Sequence, residues 1–492
     1  MRVEEARADY LATLIDQQGW PEMAIEEIAD VNPRVDKASI PDDLPVSFVP
    51  MPAVGAADGS IRVEETRPAG EVKKGFTAFL EGDVLFAKIT PCMENGKMAV
   101  VPVLVNGFGF GSTEFHVLRP KPGIDAKYLY YYVSSQAFRG EAERHMTGAV
   151  GQRRVPTSYL KECRIPVAPL DQQKRIVAEI EQQFSRLDDA VANLKRVKAN
   201  LKRYKAAVLK AAVEGRLVET EAELARREAQ GSANVAGGRT PGATEGRSYE
   251  TGEQLLQRIL ETRRSQWQGK GKYKEPATPD TTDLPELPEG WVWASVEQLA
   301  FVDVGYAFKS NEFEAEGIRL LRGENIEPGR LRWDDTRYWP EEKLGRYRSF
   351  LVQEGEIILA MDRPIVTAGL KLARAKQADV PCLLVQRMAR MRCISREMEG
   401  YLYTAMQTHR FERHLLGGQT GTQLPHISGS GIASFVVPLP PASEQLRIVT
   451  EVDRRLSLLR ETEAQVDANL QRAERMRQSL LASVFSGNMS IT

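Results

Sequence analysis

The chain has 492 residues, 42% of them hydrophobic and 27% charged, with a formal net charge of −1. Such a length predicts two to four domains of an ordinary globular protein with ample chain for a core. The near-neutral balance, with a pI of 6.6, excludes a bulk basic nucleic-acid coat but not local basic faces.

In chain order, Met1 to Asp9 is acidic and helix-prone, with no apolar stretch of signal-peptide type. No later run approaches 18 apolar residues, so no transmembrane helix is expected. Cys92, Cys163, Cys382 and Cys393 form no CxxC pair, which argues for a reduced, cytoplasmic protein without a zinc site. Five histidines leave little room for imidazole chemistry.

From Gly19-Trp20 onward the chain passes through an apolar–acidic phrase, Ile25 to Ile28, and then strand-like runs bounded by glycines. Gly82 to Lys88 reads as a turn followed by a buried strand. A helix-like segment with Tyr128, Leu129 and Phe138 comes next, then a Gly/Gln-rich loop, Gly148 to Arg154. Proline-rich Pro166 to Pro169 leads into a long helix whose apolar residues recur at steps of three and four: Ile176, Ile180, Phe184, Leu187, Val191, Leu194 and Leu201. Asp171 stands where an N-cap belongs, and Gly215 where a helix stops. A helix of about 43 residues is a rod roughly 65 Å long, better suited to a spacer than to one small domain's core.

Residues 221 to 247 are Ala/Gly/Arg/Glu-rich and read as a flexible linker. Thr251 to Trp267 reads as a short amphipathic helix, and Lys270 to Glu289 as extended chain. Then the pattern returns. Gly290-Trp291 opens it, Val296 to Leu299 follows, and Gly355 to Met361 repeats the turn and strand of Gly82 to Lys88. Tyr401, Leu402 and Phe411 repeat the aromatics, and Gly417 to Gln423 the loop. Pro438 to Glu451 matches Pro166 to Glu179 at an offset of 272 residues, which still holds where Gly215 meets Gly487. In the second copy Ser443 takes the N-cap position, and Ile448, Val452, Leu456, Leu459, Val466 and Leu470 form the seam. Two copies at so long a period make a duplicated half-molecule rather than a solenoid, and two such rods would pack antiparallel.

Catalytic motifs are sparse. There is no GxxxxGK[ST] loop. Phe108-Gly-Phe-Gly111 could begin a methyl-donor loop, but no Asn/Asp-Pro-Pro-aromatic tetrad accompanies it, and a strand or turn is preferred. Glu81 and Asp83 with Lys88 invite comparison with a nuclease site, yet the second copy keeps Glu356 and replaces the lysine by Met361, so a structural turn is preferred. Any chemistry would come from partners. Binding features are richer. Lys88, Thr90, Asn95 and Lys97 lie on one polar loop of the first copy, and Gly151, Gln152, Arg153 and Arg154 on another. In the second copy Lys309, Ser310, Arg322, Asn325 and Arg363, then Thr422, Gln423 and His426, occupy comparable loops. Such side chains read base edges, and glycine lets backbone approach phosphate; solvated loops are the plainer alternative for any one of them. Lys195, Arg196, Lys198, Lys202, Arg203, Lys205 and Lys210 form a stripe that is either a solvated face or one turned to a backbone or a partner.

Together these features resemble the specificity subunit of type I restriction–modification systems. The resemblance rests on the duplicated Gln-x-Arg-Ile-Val helix starts, the Gly-Trp pairs, the Gly-(Asp/Glu) strands and the central segment from Tyr249 to Pro276. It implies an α+β architecture: two mixed α/β target recognition domains, related by a pseudo-twofold and separated by two long antiparallel helices. The domains would be residues 1–165 and 286–437, the spacers 166–220 and 438–492, with 221–285 between. It implies double-stranded DNA as ligand, read as a split asymmetric site. Two methyltransferase subunits would dock around Gln173, Arg175, Ile176, Gln445, Arg447 and Ile448. Motor–nuclease subunits would complete the complex. S-adenosylmethionine, ATP and Mg2+ would serve those partners and not this chain. A self-sufficient methylase–nuclease, or a coiled-coil scaffold that reads no sequence, are the competing expectations.

Overall fold

A computed structural model describes residues 20–149, 151–235, 248–267, 271–417 and 427–485. The chain divides into two compact units, residues 1–196 with 466–492, and residues 197–465.

The first unit is built around two four-stranded sheets. In one, strand Phe115–Pro120 lies between Ala29–Val31 and Val84–Ala87, with Met98–Val100 beyond, every pair antiparallel. In the other, Phe108–Gly111 joins Pro45–Val49 in parallel and Thr77–Leu80 in antiparallel. Phe108-Gly-Phe-Gly is therefore strand, and its glycines are a packing need. A Cβ on Gly109 would sit 2.1 Å from the Phe79 ring, and one on Gly111 2.3 Å from the Val49 carbonyl.

The second unit repeats the first sheet strand for strand. Met388–Cys393 lies between Ala300–Val304 and Ile357–Ala360, with Leu372–Arg374 outermost. The Gly-acid turns before the matching strands do the same job in both copies. Gly82 and Gly355 take positive φ, 78° and 91°, which glycine adopts without cost. Asp83 then accepts the Leu80 backbone N–H and a two-point ion pair from Arg119, both contacts at 2.8 Å. Glu356 accepts the Gln353 N–H at 3.0 Å and faces Arg390 at 3.5 Å. These acids are structural turns, as expected.

The two 44-residue helices run Leu170–Val213 and Ala442–Phe485. Each starts earlier than expected. Asp171 and Ser443 are not N-caps but lie inside the first turn, because Pro169 and Pro441 accept the Gln173 and Gln445 N–H groups at 2.9 and 3.0 Å. Proline has φ already set for a helix and no N–H to leave unpaired. Gly215, at φ 67°, ends the first helix, with the Arg216 N–H reaching back to the Ala211 carbonyl at 2.9 Å. Gly487 lies outside the described residues.

Within each unit the two helices run antiparallel. In the first, Ile176, Val177 and Ile180 share the core with Leu481 and Val484. Phe485 wedges between the Tyr128 and Tyr132 rings at 5.4 and 5.2 Å, and Arg477 pairs with Asp188 at 2.9 Å. In the second, Val208, Leu209 and Ala212 meet Ile448 and Val452 beside Trp291 and Tyr401.

The expected flexible linker is a helix over its first part, Glu221–Val235. Thr220 and Glu223 exchange backbone and side-chain hydrogen bonds in a capping box, at 2.8 and 3.2 Å, an arrangement masked by the segment's linker-like composition. Residues 236–247 lie outside the described residues. Gly252–Ser265 is helical as expected, capped by Thr251, and sends Leu255 and Ile259 into the second core.

Candidate nucleic-acid interface

Antiparallel register sends three connections out of one edge of each repeated sheet. In the first unit Ala87 pairs with Phe115, and the Asn32 N–H bonds the Val117 carbonyl at 2.7 Å. Loop 88–97, turn 112–114 and Asn32 therefore share that edge. Segment 151–155 joins them: the Thr90 N–H reaches the Arg153 carbonyl at 3.0 Å, and the Val155 N–H the Lys88 carbonyl at 2.9 Å. The two loops singled out in the first copy thus form one surface.

Their side chains part company there. Asn95, Gly151 and Gln152 are exposed, while Lys88, Thr90 and Arg153 are half-buried. Lys88 Nζ has no partner among the described residues. Arg153 lies 3.5 Å from Glu143, and the Thr90 hydroxyl donates to Glu94 at 2.7 Å. Arg154 gives Nε and Nη2 to Glu114 at 2.9 and 2.8 Å and Nη1 to the Gln152 carbonyl at 3.0 Å. That hydrogen-bonded guanidinium holds the Glu114 carboxyl below its usual range. Arg154 is a clamp, with no edge left for a base. Lys97 also leaves the set. Its Nζ donates inward to the Met51 and Val54 carbonyls at 3.2 and 2.9 Å, because the turn that follows strand Pro45–Val49 brings both within its reach. His116, unremarked in the sequence, is buried below the edge between Asn32 and the Val155 carbonyl, at 3.0 and 2.9 Å. Burial depresses its pKa.

In the second unit the same edge carries residues 305–310, 361–371 and 385–387. The Gly305 N–H meets the Met388 carbonyl at 2.9 Å, the Gln386 N–H the Tyr306 carbonyl at 2.7 Å, and the Met361 N–H the Arg387 carbonyl at 2.9 Å. Lys309, Ser310 and Arg363 are exposed, and none has a side-chain partner among the described residues. Asn325 and Arg322 are corrections. Asn325 is 2% exposed and donates to the Arg332 and Asp335 carbonyls at 3.0 and 3.3 Å. Arg322 pairs with Glu324 at 2.5 Å and donates to the Asp335 carbonyl at 3.1 Å. Both fasten the 322–335 loop to itself. Thr422, Gln423 and His426 lie outside the described residues. Tyr306, Gln386 and Arg387 share the edge although nothing in the sequence reading marked them. The available signal was a polar Gln-Arg pair between two apolar strands.

The helix starts are likewise reassigned. Gln173, fully buried, accepts the Asp125 N–H at 2.8 Å and donates to the Ala168 and Gly123 carbonyls at 2.7 and 3.2 Å. Gln445, 1% exposed, donates to the Pro440 carbonyl at 2.9 Å. Ile176 and Ile448 are core residues, 5% and 1% exposed. All four brace the helices from inside and are not surface contacts, the glutamines held by backbone groups and the isoleucines packed into the cores. Arg447 is held by Glu221, and its Nη2 by the Glu219 carbonyl at 3.2 Å. Arg175 is exposed and has no partner among the described residues. Equivalent indoles read these starts differently: Trp20 Nε1 donates to Gln172 at 3.1 Å, and Trp291 Nε1 to Glu444 at 3.1 Å. Glu444 also accepts the Glu221 N–H at 3.0 Å, and burial raises its pKa to about 7. On the basic stripe, Lys195, Lys202 and Lys205 are exposed, and Arg203 leans on Asn200 at 3.5 Å. No described helix is long and apolar enough to cross a membrane.

Comparison with known proteins gives a consistent picture. A family described as the type I restriction modification DNA specificity domain matches residues 17–203. The chain is 33% identical over 459 residues to the type I restriction enzyme EcoAI specificity subunit of Escherichia coli, covering 88% of this chain and 77% of that protein. It is 25% identical over 489 residues to the EcoEI specificity subunit of Escherichia coli, covering 89% and 77%. Its fold is similar to that of the HsdS subunit from Thermoanaerobacter tengcongensis, with a TM-score of 0.51 at 17% identity over 96% of this chain and 97% of that one. It is also similar to a chain solved in work on assembly and conformational transition of the type I R-M system, with a TM-score of 0.64 at 18% identity over 95% and 97%.

Proposed function

From the premise that this chain belongs to the type I restriction–modification specificity subunits, we propose that each repeated sheet edge reads one half of a split, asymmetric DNA site. The observation that carries this reading is a shared frame with unlike loops. The same four-strand order and the same Gly-acid turn recur, while the edges offer Lys88, Asn95, Gln152 and Arg153 in one unit and Lys309, Ser310, Arg363 and Arg387 in the other. A frame fixed by backbone register holds its side chains at constant places, so different side chains at those places read different bases.

On this reading lysines such as Lys88 and Lys309 meet phosphate and set affinity and salt dependence, whereas Arg, Asn and Gln at the loop tips specify sequence. The chain supplies the address. Methyltransferase subunits bring S-adenosylmethionine and modify adenine; motor–nuclease subunits bring ATP and Mg2+. Arg175, exposed on the first helix start, is the surviving candidate for methyltransferase docking. The setting is cytoplasmic, where such DNA is met.

The test is an adenine-methylation map of cells expressing the chain with its cognate methyltransferase subunit. A two-part motif with a fixed gap is expected. No methylation, or one uninterrupted motif, would overturn the reading and favour a scaffold that reads no sequence.

A further inference from the structure

We propose that Arg387 is a specificity-determining residue of the second unit, reading a guanine in one half-site through its Nε and Nη2 edge. The inference rests on the DNA-reading function above and names the residue and base class by which one edge performs it.

The turn that carries Arg387 is unusually well fixed. Backbone hydrogen bonds tie Gln386 to Tyr306 at 2.7 Å, Arg387 to Met361 at 2.9 Å and Met388 to Gly305 at 2.9 Å. Gly305 is required for this approach, since a Cβ there would lie 2.1 Å from the Val385 carbonyl. Arg387 itself sits at φ 64°, a backbone region that non-glycine residues occupy only when their surroundings impose it, and where functional residues gather.

The side chain is aimed outward from this fixed base. It is 67% exposed, and Nη1 is 2.8 Å from Asp362 Oδ2. Because the carboxylate engages only Nη1, the guanidinium is oriented while Nε–H and Nη2–H remain without a partner among the described residues. Those two parallel donors match the O6 and N7 acceptors that guanine shows in the major groove. Exposed Arg363 lies next to Asp362. Tyr306, 39% exposed, is braced behind by Phe308, Tyr347 and Phe350 at ring distances of 5.0 to 5.4 Å.

A surface ion pair with no further role would place Arg387 just as well, so the experiment must read sequence. Complexes of the full chain with its cognate methyltransferase subunits are used to map methylated sites for the unsubstituted chain, Arg387→Ala, Arg387→Gln and Arg154→Ala. The expected result is that one G–C pair, confined to one half of the motif, becomes degenerate in both Arg387 variants, with preference for it falling about 5- to 150-fold. The other half and the gap stay unchanged, and Arg154→Ala leaves the motif intact. An unaltered motif, or equal weakening at every site, would overturn the assignment, the latter marking a phosphate contact. Failure of the unsubstituted complex to give any split motif would instead sink the function on which the inference rests. Melting curves of the free chains confirm that the exposed substitution leaves folding intact.

Discussion

The two sheet edges share a backbone and carry opposite charges at one equivalent place. Glu114 stands immediately before strand Phe115–Pro120, and Arg387 immediately before Met388–Cys393, the central strands of the repeated sheets. In the first unit the acid at this place holds Arg154 on both its carboxylate oxygens; in the second the guanidinium at this place holds Asp362 with one nitrogen. What the difference teaches is where duplication constrains a chain. A turn residue whose partner is a side chain of an adjoining surface loop has little core packing to lose, so its sign can change together with that partner's. The Gly-acid turns keep a glycine and an acid in both copies, because Asp83 and Glu356 are buried and each accepts a backbone N–H and faces an arginine.

The sharpest way to break this comparison is at the shared frame. Ile176→Ala and Ile448→Ala remove equivalent core residues and should each cost about 2–4 kcal/mol in denaturant unfolding. A loss confined to one of them would mean that the two helix starts are not the same structure. Next come two lysines that precede matching outer strands, Lys97 and Lys371. Lys97 Nζ binds the Met51 and Val54 carbonyls, and Lys371 Nζ the Gly323 carbonyl. Methionine at either place should cost about 1–3 kcal/mol by taking the Nζ donor from the Val54 or Gly323 carbonyl, and neither change should alter the target sequence in a methylation map.

A third prediction sharpens the asymmetry between Gln172 and Glu444. Burial raises the Glu444 pKa to about 7. A carboxyl whose folded pKa is raised contributes its full stability below the ordinary carboxylate range and loses it as the pH climbs toward about 7. The melting temperature of the native chain should therefore fall between about pH 4.5 and 7, by roughly 2–4 °C for each kcal/mol involved. Glu444→Gln, which installs the side chain of the first copy, should flatten that part of the profile. A profile unchanged by the substitution would remove Glu444 as the cause. The smallest effect is expected at the edges themselves. Arg154→Ala should lower the denaturant midpoint slightly by freeing Glu114, and Arg387→Ala should leave it essentially unchanged; equal losses would erase the distinction between clamp and reader.

Much of the frame was legible because its causes are local. Prolines before Leu170 and Ala442, a glycine at 215 and apolar steps of three and four define helices within a few turns, and Gly82-Asp83 and Gly355-Glu356 define turns within four residues. The edges resisted for the opposite reason. Whether Lys97 reads DNA or fastens a loop depends on carbonyls more than forty residues away. Nothing in the sequence distinguishes Arg154 from Arg153 until Glu114 is folded against it on both oxygens. Asn325 is buried within a surface loop whose acceptors at Arg332 and Asp335 appear only in the closed turn. Glu221–Val235 has a linker's composition, and although Thr220 and Glu223 cap it locally, its anchoring by Glu444 and Arg447 lies more than two hundred residues on.

The wedge formed by Leu481, Val484 and Phe485 has a consequence for how the molecule is made. These residues complete the core of the first unit, whose other part ends at residue 196. At about 5–20 residues per second on the ribosome, the earliest-made half waits roughly 15–60 s for its last core residues to emerge. During that interval Tyr128 and Tyr132 have no Phe485 to close over them. The half synthesised second has its helix segment from the first already in hand, so the order of translation and the order of completion are reversed.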